Sequence, residues 1–137
     1  MDYRVILFHK QATSARLRFL RFGYGSVCAF ESIPPLAQVH AGRQENPAMH
    51  PAQVVQKLER DLGFAPGSLH AEEGYRYVVE VPHAAIRVLL VSIDSVDPPF
   101  AVAQGIDAEF IDLTQARDLP PVELELLRGA YELVLGG

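Results

Sequence analysis

The chain has 137 residues and a mass of 15.1 kDa, with 49% apolar and 21% charged residues, which suits one globular domain and excludes broad disorder. No apolar run nears the roughly 18–20 residues of a membrane-spanning helix, and the single cysteine, Cys28, excludes an internal disulfide and fits a cytoplasmic compartment. The net charge of −5 is polarised, residues 1–22 carrying +4 and residues 91–137 carrying −7, and the acidic total argues against duplex nucleic acid as a partner.

Met1-Asp2-Tyr3-Arg4 opens a strand-like run and not a signal peptide, and Tyr3–Phe8 is β-branched, aromatic and short, as a strand requires. Gln11–Ser14 reads as a turn. Residues 16–22 are open to two readings. Leu17 and Phe19 alternate with arginine as in a strand, yet Ser14 could cap a short helix ending at Gly23. The strand is preferred, because Ser26–Phe30 follows across Gly23-Tyr24-Gly25 and would complete a hairpin. Arg16, Arg18 and Arg21 are expected to form a solvated face paired with the acidic C-terminal third; holding a phosphate is the alternative. Residues 32–50, with Pro34, Pro35, Gly42 and Pro47, read as a long irregular connection lining a cleft.

The clearest helix spans Pro51 to Leu62, with proline where no intrahelical N–H is needed and Gly63 as the left-handed stop. Val54, Val55, Leu58 and Leu62 share an arc of about 100°. Tyr75–Val81 and Ile86–Ile93 predict a hairpin turning at Pro82–Ala85. The second strand is apolar on both faces, so it should be central and covered on both sides. Asp97–Phe100 breaks the chain, Ala108–Asp112 reads as a short strand, and Thr114 is placed to cap a helical turn at Gln115–Arg117.

A last helix spans Pro121 to Leu135. Glu123 and Glu125 sit near its start, where the helix dipole favours anions, and Glu125–Arg128–Glu132 has ion-pair spacing. Its apolar residues, from Val122 to Leu135, cover roughly 220° of the helical wheel. A second copy of the chain is one cover for so wide an arc, giving a homodimer through residues 121–135. The 32–50 loop of the same chain is the other.

The order of these elements, with a helix ending Leu62-Gly63-Phe64, resembles the Nudix hydrolase domain. Its signature, G-x5-E-x7-R-E-U-x-E-E-x-G-U with U bulky and apolar, aligns without gaps when its last two positions fall on Gly63 and Phe64. The leading glycine is then Gly42 and the apolar slot Leu58, and Glu109–Leu113 is similar to the late strand-to-turn segment of the family. The resemblance implies an α+β fold, with a mixed or antiparallel sheet flanked by two main helices in an α/β/α sandwich. It also implies a magnesium site built from helix carboxylates. The signature arginine falls on Gln56, and the glutamate positions here are Ala48, Lys57, Arg60 and Asp61, of which Asp61 alone keeps a carboxylate. Glu59 cannot join it, since two residues turn a helix by about 200°.

Other chemistry finds less support. His9, His40, His50, His70 and His83 include no i,i+4 pair; His40 and His50 with Glu45 between them could meet, but loop histidines more often bond at the surface or, as His50 does, precede a helix. Cys28, among Val27, Ala29 and Phe30, is expected to be buried and inert. Asp94, Asp97, Asp107 and Asp112 at strand ends are expected to serve turns before any acidic pocket. The sequence therefore predicts no catalytic residue, no metal site and no cofactor, and leaves the ligand open. The leading expectation is a non-catalytic binding or regulatory module that holds a small ligand or a protein partner at the cleft lined by residues 32–50. The alternatives are a divergent metal-dependent phosphoanhydride hydrolase acting on a nucleotide-type substrate, and a structural subunit docking through its last helix.

Overall fold

The computed structural model describes residues 2–34, 36–41 and 50–136. Its strands are β1 (Asp2–Lys10), β2 (Leu17–Phe22), β3 (Cys28–Ala29), β4 (Gln38–Ala41), β5 (Leu69–Ala71), β6 (Tyr77–Val81), β7 (Ala84–Ile93) and β8 (Ala108–Ile111). Its helices are α1 (Pro51–Leu62), α2 (Phe100–Gly105) and α3 (Pro121–Leu135). The strands make one mixed sheet in the order β4-β6-β7-β1-β2-β8, with β3 beside β1 and β5 beside β7. β1 and β7 run parallel from Asp2↔Ile86 to Phe8↔Ser92, and the other pairings are antiparallel.

A parallel central pair has to be covered on both faces, and the side chains alternate accordingly. Val5, Leu7, Leu89 and Val91 pack with Val54, Val55 and Leu58 of α1 and Ala103 of α2. Ile6, Phe8, Val88 and Leu90 pack with Leu126, Leu127 and Ala130 of α3. The expected two-sided cover of β7 is therefore present, and the architecture is the expected α+β sandwich. Gly63 ends α1 with φ 85°, in the left-handed region that glycine enters without steric cost. Gly129 lets α3 approach the sheet, since a Cβ there would lie 2.7 Å from the Tyr77 hydroxyl.

The hairpin expected from β2 into Ser26–Phe30 does not form. β3 pairs with β1 at Val5↔Ala29 and Ile6↔Cys28, while the free edge of β2 is taken by β8. The cause is Glu123. This carboxylate, fully buried in the first turn of α3, accepts hydrogen bonds from Ser26 Oγ at 2.9 Å and from the Val27 N–H at 3.0 Å. Ser26 Oγ in turn accepts the Cys28 N–H at 3.0 Å. A buried carboxylate needs such donors, and these two come from the stretch that the hairpin would have used.

Further corrections concern short elements. Part of the supposed irregular 32–50 connection is β4, paired with β6 from Gln38↔Glu80 to Ala41↔Tyr77, while residues 42–49 lie outside the described residues. β5 and α2 arise where only connections were expected. The turn after β8 is a 3₁₀ turn at Leu113–Gln115 that starts from Asp112 and not Thr114, and the Asp112 N–H donates to Gln115 Oε1 at 2.8 Å. The Glu125–Arg128–Glu132 spacing yields no ion pair among the described residues, in keeping with the small gain from exposed pairs.

The wide apolar arc of α3 is largely covered within the chain. Leu126, Leu127 and Ala130 are buried, and Val122, Leu124, Val134 and Leu135 pack against the same cluster, which also takes in Ile33, Ala37 and Val39. Tyr131 and Leu133 are the large apolar residues of α3 left exposed, each at 41%. Among the described residues no helix is long and apolar enough to cross a membrane. Leu127→Asp would bury an unpaired charge, so its cooperative urea transition is expected to vanish, whereas Leu133→Asp is expected to keep it.

Candidate functional site

The helix that carries the signature-like register separates structural from chemical positions. Leu58 is fully buried, Phe64 is buried, and Gly63 makes the left-handed stop, so the apolar and glycine positions perform the roles their spacing implies. Ala48 and Gly42 lie outside the described residues. On the exposed face, the Lys57 ammonium forms an i,i+4 ion pair with Asp61 and lies 5.1 Å from the centroid of the Phe30 ring, within cation–π reach. Arg60 Nε is 3.9 Å from the other Asp61 oxygen. The Lys57 hydrogen bond holds the Asp61 carboxyl below the usual carboxylate range. Glu59 turns inward, is buried, and accepts the Leu69 N–H at 3.0 Å, tying α1 to β5. The two carboxylates therefore point apart, as their spacing demands.

Magnesium requires several hard oxygen ligands, usually including one or two carboxylates. This face offers one carboxylate, already neutralised by an ammonium and with a guanidinium beside it. The residues present do not fit a divalent cation, and no group of three or more His, Cys, Asp or Glu among the described residues could hold one.

Among the described residues a cleft opens on the side of α1 that carries Glu59, turned away from Lys57 and Asp61. It has a volume of about 790 Å³, with the first half of α1 (Pro51, Ala52, Val55) on one side and Val78, Arg87 and Leu89 of the sheet on the other. Its geometry follows from the edge of β7, which β5 and β6 share. β5 pairs at Val91–Ile93 and β6 at Ala84–Val88, so the chain between them turns away through Glu72–Arg76 and opens the edge. A second, smaller recess of about 400 Å³ lies at the far end of α3, near Lys10, Asp94 and Leu133.

The remaining sequence candidates are dispersed. His40 Nε2 lies 3.1 Å from Glu80, His50 is the α1 N-cap residue and makes no side-chain capping bond, and Glu45 lies outside the described residues. His70 is 3.7 Å from Asp94, His83 occupies the β6–β7 turn, and His9 is fully buried with Nε2 2.8 Å from the Ser95 carbonyl. Cys28 is buried, and desolvation pushes its thiol well up, away from the reactive thiolate. Asp94, Asp97, Asp107 and Asp112 do not converge: the Asp107 carbonyl accepts the Gly23 N–H, the Asp97 carbonyl accepts from Ser95 Oγ, and Asp112 pairs with Arg16. The arginine cluster is paired as expected, Arg16 with Asp112 and Arg21 with Asp118, each through two hydrogen bonds. Arg18 donates to Gln11 Oε1.

Arg87 and the cleft around it were not singled out from sequence. The signal was present, since Arg87 is the one charged residue in the strand Ala84–Ile93.

A scan against protein-family models finds no match, and a search of curated proteins finds none either. Among solved structures, the chain is similar to the crystal structure of C. elegans Ap4A hydrolase, with a TM-score of 0.59 and 12% identity over 98% of this chain and 99% of that one. At that identity the likeness shows the fold alone, which is Nudix-like.

Hydrogen bonds from Arg16, Arg21 and Lys57 hold Asp112, Asp118 and Asp61 below the usual carboxylate range. A carboxylate depressed in the folded state stabilises it above the unfolded value of about 3.9, and that support is lost as pH falls through the lower folded value. The urea midpoint is expected to drop below about pH 4, and to drop less steeply in Arg16→Gln/Arg21→Gln.

Proposed function

We propose that this chain is a Nudix-like binding or regulatory domain that holds a small ligand without hydrolysing it. The observation that carries this reading is the exposed face of α1, where Lys57 and Arg60 stand in the register of signature carboxylates and Lys57 neutralises Asp61. Phosphoanhydride cleavage of the family type needs a divalent ion to neutralise the phosphates and activate water. A face bearing two cations and one engaged carboxylate repels that ion. On the other side of α1, the cleft that Glu59 lines is large enough for a small molecule. The cytoplasmic placement suggested by the lone thiol belongs to this proposal.

Incubation with magnesium and a panel of nucleoside diphosphate derivatives is expected to release no phosphate. Efficient turnover that Asp61→Ala abolishes would overturn the reading and favour the divergent hydrolase.

Docking of α3 on a second copy is the secondary reading, and the exposed Tyr131 and Leu133 favour it. Sedimentation at several concentrations is expected to show a dimer that Leu133→Asp converts to a folded monomer. A wild-type monomer at every concentration would dismiss it.

A further inference from the structure

Arg87 differs from the arginines at the other strands. Arg4 is paired with Glu31 at 3.2 Å and donates to the Tyr3 and Ser32 carbonyls, while Arg16, Arg18 and Arg21 each hold a side-chain acceptor. Arg87, half-buried on a central strand, has no hydrogen bond or ion pair among the described residues. Its direction follows from the alternation of β7. Val88 and Leu90 pack on the α3 side and Leu89 and Val91 on the α1 side, so Arg87 faces the α1 side, where it lines the cleft. In register it lies between Tyr3 of β1 and Val78 of β6. The acid two residues along β6 on the same face, Glu80, is already engaged by His40.

A half-buried guanidinium with no acceptor in the protein is open to water or to an anion that enters the cleft. The surroundings define that anion. Val55, Val78 and Leu89 offer apolar walls for a flat body. Glu59, Glu72 and Glu73 also line the cleft against Arg76 and Arg87, so the lining is net acidic and repels a ligand with several charges. We propose that the cleft binds an organic monocarboxylate with a flat apolar body, its carboxylate paired with Arg87 and its body between α1 and the sheet, with no divalent cation. This rests on the reading of the chain as a binding domain and names its ligand class. Arg87 suits the task because its planar fork matches a carboxylate through two parallel hydrogen bonds.

The test is a two-dimensional NMR titration of the full chain, in a metal chelator, with 2-naphthoate as probe and naphthyl phosphate and inorganic pyrophosphate as comparators. Saturable shifts at Val55, Val78, Arg87 and Leu89 are expected, with naphthoate tighter than naphthyl phosphate and no response to pyrophosphate. Arg87→Gln is expected to weaken naphthoate about tenfold or more, Arg87→Lys less, and Arg128→Gln on the exposed side of α3 not at all. The spectra themselves report whether each variant is folded. Absence of shifts up to millimolar naphthoate, unchanged affinity in both Arg87 variants, or preference for the phosphates would overturn the proposal. These outcomes leave the non-hydrolytic reading standing, whereas magnesium-dependent turnover would remove that reading instead.

Discussion

The parallel pairing of β1 with β7 is the constraint around which the rest of the chain is arranged. Seven residue pairs, from Asp2↔Ile86 to Phe8↔Ser92, join the first strand to one more than seventy residues later. Such a pair cannot be closed by a tight turn, and it presents apolar side chains to both faces. Each face then needs its own helical layer. α1 and α2 meet Val5, Leu7, Leu89 and Val91, and α3 meets Ile6, Phe8, Val88 and Leu90. Polar groups lock the layers at chosen points: Glu59 accepts the Leu69 N–H, and the Tyr75 hydroxyl donates to the Leu126 carbonyl.

Within this frame α1 separates shape from chemistry. Leu58, Gly63 and Phe64 place the helix against the sheet and end it at the right point. The outward positions are free of that duty, and here they carry Lys57, Arg60 and Asp61. Different side chains of one helix thus answer to different constraints, and the fold fixes the inward ones alone.

Much of this arrangement was legible in the residues. The limits of α1 and α3 follow from Pro51, Gly63 and Pro121 together with apolar periodicity, and the covered strand follows from the apolar run Val88–Val91 of β7. The short elements were not legible. β3, β4 and β5 have two to four residues, too few to show alternation, and they exist because a neighbouring edge offers unpaired backbone groups. α2 has six residues and no side-chain cap. The pairing of β3 depended on Glu123, whose distance in sequence from Ser26 hides their contact. On α1, the residues facing outward, Lys57, Arg60 and Asp61, could be read from helical register alone. Arg87 stood out as the one charged residue of its strand, but its lack of a protein partner became visible only in the structure.

The short stretch from Ser26 to Phe30 has a mechanical consequence. At one end its backbone is clamped by the Glu123 carboxylate of α3, and at the other the Phe30 ring lies beneath the Lys57 ammonium of α1. Val27 and Cys28 belong to the core on the α3 side and Ala29 to the core on the α1 side. Five residues thus join the two layers through the sheet by covalent bonds, so the first turn of α3 and the exposed face of α1 share one short connecting segment.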